Sequence, residues 1–173
     1  NEIVLKNKAQ ELLNAYENYC GTIKIAYAMK ANFNPNVLKI FIENGLMFDV
    51  SNFNELFFYI KSGGNPSQIV YNSITEEIEQ YEKILNHDIS LIVVNSLNGL
   101  NNLLYVTNKY GKKINVLIRI NPEIHVEADI SASQKNGKFG VPLYNDNNKN
   151  SDNAFDIIKK IIDNDLLTFT GFH

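Results

Sequence analysis

Six short apolar segments alternate with longer amphipathic ones, and this alternation restricts the fold of the chain more than any other feature. The apolar segments are 23–29, 46–50, 68–72, 90–95, 114–120 and 166–173. Short apolar runs without in-and-out alternation are typical of strands buried on both faces, as in a parallel sheet covered by helices. Helices are predicted at about 4–19, 34–44, 53–61, 75–86, 97–110 and 153–163. The sequence therefore predicts the α/β class.

Two architectures fit this alternation, an open doubly wound sheet and an eightfold barrel. A nucleotide-binding doubly wound fold needs a glycine-rich turn after its first strand, but here that strand runs into KANFNPN. The barrel is therefore preferred. Because six of its eight βα units are found, we expect residues 1–173 to form an incomplete (β/α)8 TIM-type barrel domain, a fragment of a longer fold. The loop over 121–150 is too long for an ordinary connection and is predicted to be functional or disordered.

Composition excludes several classes of function. A net charge of −3 with dispersed lysines argues against nucleic-acid binding. No apolar run reaches the ~20 residues that span a bilayer, so no membrane contact is predicted, and the expected location is the cytoplasm. Cys20 is the only cysteine, and His87, His125 and His173 are too scattered to form a metal motif. No metal site is expected.

Three polar residues fall at the ends of predicted strands, where parallel barrels carry their working residues. Lys30 follows an apolar strand, and it either extends to solvent or is a partly desolvated amine able to attack an aldehyde. Asp49, in FDVSN, either caps the next helix or faces the barrel mouth, and Ser51 or Asn52 already suits the cap. Arg119 is the only arginine of the chain. Its presence among many lysines favours a site that requires the planar guanidinium group over a solvated position at the edge of the sheet.

Three further residues gain interest only from their surroundings. Glu55 on its own is an exposed helix acid. Lys138, in Lys138-Phe139-Gly140, reads as a surface lysine, and His173 as a terminal histidine.

Several stretches, in the right order, resemble the PLP-dependent amino-acid decarboxylases of the alanine-racemase-like barrel fold, the group that holds diaminopimelate, ornithine and arginine decarboxylases. The diaminopimelate type is the most similar. The matching stretches are IAYAMKANFNPNVLKIFIENGLMFDVSNFNEL (25–56), IRINPE (118–123), DISASQKNGKFGVPL (129–143) and TGFH (170–173).

The resemblance implies a cofactor, pyridoxal 5′-phosphate (PLP), and a role for each candidate residue. Lys30 would be the catalytic residue and hold PLP as a Schiff base. Asp49, Arg119 and His173 would bind the cofactor, and Glu55 would support that network. Lys138 would take part in the contact between two subunits, because such enzymes build each active site from two chains. The phosphate-binding glycine loop, a second histidine beyond His173 and the carboxyl-terminal β domain are absent from the chain.

The implied function is decarboxylation of a diamino or basic amino acid, with meso-diaminopimelate, giving L-lysine, as the first expectation. The expected partners are therefore a small amino-acid substrate and a second copy of the chain. Two alternatives stay open. One is an ornithine, arginine or siderophore- or antibiotic-pathway decarboxylase of the same fold, and the other is a non-catalytic relative that binds proteins. The fragment alone is expected to be inactive, since its phosphate site is missing.

Overall fold

The computed structural model of the chain describes residues 1–89, 91–124, 137, 139–144 and 152–173. These residues divide into two compact units, Asn1–Asn72 with His87–Ser90, and Ser73–Asn86 with Leu91–His173. Each unit alternates strands with helices and has parallel strands in chain order.

The first unit contains three strands and three α-helices. Its elements are α1 Glu2–Asn14, β1 Ala26–Ala28, α2 Pro35–Glu43, β2 Met47–Val50, α3 Phe53–Lys61 and β3 Ile69–Tyr71, with one-turn 3₁₀ helices at Met29–Ala31 and Pro66–Gln68. Strand β2 pairs in parallel with β1 and with β3. Phe48, Val50, Leu56 and Ile69 have no exposed surface and form the core of this unit.

The second unit also contains three strands and three helices. Its elements are α4 Ile78–Leu85, β4 Leu91–Val94, α5 Leu97–Tyr110, β5 Ile114–Ile118, α6 Ala154–Ile162 and β6 Leu167–Phe172. Strand β5 pairs in parallel with β4 and β6, with a register shift between Val116 and Leu117. Its core is made by fully buried Ile92, Val94, Leu100, Val116 and Ile157. All six strands lie within the apolar segments that predicted them.

Two helix boundaries differ from prediction. Helix α1 ends at Asn14 and not at Tyr19, and it buries only Ala9 while Leu12 and Tyr16 are 44% and 47% exposed. A helix gains most of its stability from burying its apolar face, so apolar spacing alone does not extend α1. Helix α4 begins at Ile78 and not at Thr75, because the backbone N–H of Thr75 donates to Ser73 Oγ (3.1 Å) in a local turn.

Candidate active site

Lys30 lies directly after β1, in the one-turn 3₁₀ helix Met29–Ala31. Met29 is completely buried and anchors this turn, whereas Lys30 is exposed. The strand therefore ends at Ala28 and not at Met29, and in the described chain the Lys30 side chain extends to solvent. The chain after the turn is held by Tyr27, whose hydroxyl donates to the carbonyl of Asn32 at 3.1 Å. Lys30 is thus an accessible amine on a turn that is fixed on both sides.

Asp49 lies on β2, the strand next to Lys30. The strand register pairs Asp49 with Ala28, two residues before Lys30, so both side chains belong to the carboxyl edge of the first unit's sheet. Asp49 is half-buried, and its Oδ2 accepts a long hydrogen bond of 3.5 Å from Asn72 Nδ2. Asn72 follows β3, so three consecutive strands place polar side chains at this edge.

Glu55 is buried, which excludes the reading of an exposed helix acid. Its two carboxylate oxygens accept hydrogen bonds from the backbone N–H and the hydroxyl of Ser51, at 2.8 and 2.9 Å. Asn52 caps α3, as predicted, by accepting from the N–H of Glu55 at 2.9 Å. Glu55 therefore fixes the turn that follows Asp49, and its support of a cofactor network stays a prediction.

Arg119 is the first residue after β5, in the second unit. Its backbone N–H donates to the carbonyl of Val94 at 2.9 Å, and its guanidinium carbon lies 4.6 Å from the centre of the Phe139 ring. Nη1 lies 3.4 Å from Asn95 Oδ1. A guanidinium stacked on an aromatic ring and held at one donor is fixed in position while it keeps further donors for an anion.

The segment that supplies Phe139 runs alongside Arg119 because of one glycine. Gly140 has a φ of +73°, and a Cβ there would lie 2.8 Å from the Arg119 carbonyl oxygen, so only glycine fits. The next residue, Val141, donates its N–H to that same carbonyl (3.0 Å) and accepts from the N–H of Asn121 (2.8 Å). The main chain at Gly140 and Val141 therefore holds Phe139 next to the Arg119 strand.

His173 follows β6 and is exposed. Its backbone N–H donates to the carbonyl of Ile118 at 2.8 Å, and its carbonyl accepts from the N–H of Ile120 at 2.9 Å. His173 and Arg119 therefore sit at the carboxyl ends of neighbouring strands in the second unit. Lys138, predicted to lie at a subunit contact, falls outside the described residues.

Sequence reasoning missed Glu76 and Asn95. The Asn95 side chain is buried, and its Nδ2 donates to the carbonyl of Ser73 at 3.0 Å. The carboxylate of Glu76 accepts from the backbone N–H of Asn95 and from the Ser96 hydroxyl, both at 2.6 Å. Burial raises the pKa of Glu76, while these hydrogen bonds oppose the rise.

The residues at these strand ends fit the aldehyde cofactor that the resemblance implies. The first unit offers an accessible amine beside a half-buried carboxylate, and the second offers a fixed guanidinium for an anionic or carbonyl oxygen. Among the described residues no group of three or more His, Cys, Asp or Glu side chains could hold a metal ion. Across that same part of the chain no helix is long and apolar enough to cross a membrane.

Comparison with known proteins agrees with this chemistry. Parallel α/β folds carry their active sites at the carboxyl ends of the strands, where Lys30, Asp49 and Arg119 lie. The family model "Pyridoxal-dependent decarboxylase, pyridoxal binding domain" matches residues 5–173. The chain belongs to this pyridoxal-dependent decarboxylase family, whose cofactor is PLP. It is 31% identical to the diaminopimelate decarboxylase of Aquifex aeolicus over 139 residues, which are 79% of the chain and 33% of that protein.

Solved structures show the same fold. The diaminopimelate decarboxylase of Helicobacter pylori, complexed with L-lysine, matches 98% of the chain and 41% of its own, with a TM-score of 0.82 and 26% identity. That of M. jannaschii matches 99% of the chain and 39% of its own, with the same TM-score and identity. The predicted α/β class with parallel strands is therefore confirmed. The chain spans about a third of the length of the curated relatives that it matches.

Proposed function

We propose that the full-length protein is a PLP-dependent decarboxylase that converts meso-diaminopimelate to L-lysine and CO2. The observation that carries this proposal is the placement of Lys30, an accessible amine on a fixed turn at the carboxyl end of β1, in a chain that matches the family over residues 5–173. Diaminopimelate is favoured over other amino acids because relatives of that name, 25–31% identical, cover most of the chain.

In this proposal each residue acts at a stated atom. Lys30 Nζ would hold the cofactor covalently and, when it is released from that bond, would be free to carry a proton. Asp49 accepts a hydrogen bond at the neighbouring strand end, and the Arg119 guanidinium donates to an anionic or carbonyl oxygen. His173 is proposed to line the cofactor, as the resemblance implies. When bound, PLP would supply an electron sink for the pair left on the α-carbon of the substrate as CO2 departs.

The test is CO2 release by the full-length protein from meso-diaminopimelate, ornithine, lysine and arginine, each assayed with added PLP. We expect release from meso-diaminopimelate, loss of release in K30A, and no change in K39A, which removes an exposed lysine of α2. Faster release of CO2 from ornithine or arginine would instead identify the protein as one of the alternative decarboxylases of the same fold. No release from any of the four by a protein that binds PLP would contradict the proposal and favour a non-catalytic relative.

We also propose that the protein works in the cytoplasm as a homodimer, with Lys138 at the contact between subunits. The support is the family resemblance, in which two chains complete each active site. Light scattering after size-exclusion chromatography should give twice the mass of the full-length chain. A monomer with full activity would contradict this proposal.

A further inference from the structure

The turns that begin α3 and α5 share one design but differ at one residue. Asn52 caps α3 and Ser96 caps α5, in each case through a hydrogen bond to the third helical residue. In α3 that residue is Glu55, whose carboxylate accepts from the backbone N–H of the residue before the cap. In α5 the third residue is Gly99, which has no carboxylate to offer. The N–H at the equivalent place in α5 therefore needs an acceptor from elsewhere.

Glu76 supplies this acceptor from another part of the chain. Its Oε1 accepts from the N–H of Asn95, the residue before the cap, at 2.6 Å, and its Oε2 accepts from Ser96 Oγ at 2.6 Å. A Cβ added to Gly99 would lie 2.1 Å from Glu76 Cδ and 2.2 Å from Oε2. Glu76 thus occupies the space that a side chain at position 99 would need, and a glycine there leaves it free.

The loop that carries Glu76 is fixed to α5 by a further hydrogen bond. Asn102, on α5, donates from its Nδ2 to the backbone carbonyl of Glu76 at 2.8 Å. Tyr81 OH lies 3.4 Å from Oε1 and approaches the carboxylate from α4. The carboxylate is therefore held at the start of α5 by its main chain as well as by its side-chain partners.

The residue held by Glu76 is the one that faces Arg119. Asn95 is fixed at its backbone by Glu76 and at its Nδ2 by the Ser73 carbonyl, which leaves its Oδ1 directed to Arg119 Nη1 at 3.4 Å. A displacement of Asn95 would therefore move a side-chain oxygen that orients the guanidinium. Phe139 fixes the guanidinium face but not its rotation within the plane of the ring.

We propose that Glu76 is a positioning residue, which replaces the third-position carboxylate that α5 lacks and, through Asn95, sets the position of the Arg119 guanidinium. The first half of this proposal concerns the folded chain alone. The second half rests on the proposed function, because the position of Arg119 matters to a reaction only in a PLP enzyme.

The first half is tested by thermal unfolding of full-length variants. We expect E76A to lower Tm by about 1 to 4 °C, since buried donors lose their acceptor and the relatives of the full-length protein are more than twice as long as this chain, while E77A, which removes the adjacent exposed acid, has almost no effect. Glu introduced at position 99 restores a local carboxylate, so E76A/G99E should recover at least half of the loss. G99E alone should lower Tm, because two carboxylates then compete for one space.

Equal Tm values for E76A and E77A would overturn the first half of the proposal, and so would a failure of G99E to raise the Tm of E76A. If E76A does not fold, the same comparison is made by folding yield. A soluble E76A/G99E then supports the proposal and an insoluble one overturns it. E76Q should stay close to the wild type in Tm, because its amide can accept from Asn95 N–H and donate to Ser96 Oγ.

The second half is tested by the affinity for PLP, measured from absorbance in the variants that fold. We expect E76A to raise the Kd for PLP about three- to tenfold in the wild-type background, but less than about twofold when R119A is also present. If E76A raised the Kd for PLP by the same factor with and without R119A, the positioning role would be overturned. No effect of R119A itself would reject the cofactor role of Arg119 in the proposed function and leave the result on Tm intact.

Discussion

Gly99→Ala should change the stability of the protein in opposite directions in two backgrounds. Gly99 lies within α5, where alanine is ordinarily the better residue by about 1 kcal/mol. In the wild-type chain, however, the added Cβ would lie 2.1 to 2.4 Å from the carboxylate of Glu76, far inside the contact distance of about 3.5 Å. The carboxylate must then withdraw from its hydrogen bonds.

The change in the free energy of unfolding follows from the two hydrogen-bond donors for which the Glu76 carboxylate is the acceptor. Leaving the backbone N–H of Asn95 without its acceptor costs about 1 to 3 kcal/mol, whereas Ser96, only half-buried, can turn its hydroxyl to water. Set against a helix gain of about 1 kcal/mol, G99A should destabilise the wild type by roughly 1 kcal/mol. In the E76A background the same Cβ meets no carboxylate, so G99A should stabilise by about 0.5 to 1 kcal/mol.

The assay is urea unfolding of the four proteins of this cycle at full length. Gly111→Ala provides the matched control. Gly111 ends α5 with a φ of +64°, and an added Cβ there would have no atom within 4 Å. The free energy of unfolding that G111A removes should therefore be the same with and without Glu76. A stabilising G99A in the wild type, or equal effects of G99A in both backgrounds, would refute the idea that Gly99 makes room for Glu76.

Three further predictions concern single residues. E55A removes the acceptor of two hydrogen bonds from Ser51 and should lower the free energy of unfolding by about 1 to 3 kcal/mol in urea; a change below about 0.5 kcal/mol would show that the turn holds without it. R119K loses the planar stack on Phe139 and should raise the Kd for PLP about tenfold in an absorbance titration; an unchanged Kd would reject that role. Burial raises the pKa of Glu76 above its ordinary value of 4.5. The folded protein therefore holds the Glu76 proton more tightly than the unfolded chain does, which stabilises the fold fully below about pH 4.5. This stabilisation is lost as pH rises through the raised pKa. Urea midpoints measured from about pH 4 to about pH 8 should therefore fall less steeply for E76Q than for the wild type, and parallel profiles would contradict this assignment.

The strands were the most predictable part of the fold. Each lies in an apolar run, and β2, β3 and β4 are buried on both faces, as in β4, where Ile92, Val93 and Val94 are at most 1% exposed. A short continuous apolar run of this kind is typical of a strand in a parallel sheet that helices cover on both faces. Strands β1 and β6 keep exposed residues, so the prediction of burial on both faces was wrong for them. Helix ends were less predictable, because they depend on contacts that the spacing of apolar residues does not report. Tyr19 is 60% exposed, so it gives α1 no reason to continue.

Some candidate site residues could also be predicted from the sequence and others could not. Lys30, Asp49 and Arg119 could be found because each is a polar residue at the end of an apolar run. Glu76 could not, because its partners lie 19 and 20 residues further along the chain and the spacing of apolar residues in its own segment does not report them. One signal was available: Asn52 is followed three residues later by an acid, as in a capping box, whereas Ser96 is followed by Gly99.

The central claim is that Lys30 holds PLP, and covalent trapping tests it most directly. The full-length protein is incubated with PLP, reduced with borohydride, digested and analysed by mass spectrometry. We predict one modified peptide, with the added mass on Lys30, and no modification at that place in K30A. Trapping at another lysine, or equal modification of exposed lysines such as Lys39, would contradict the account.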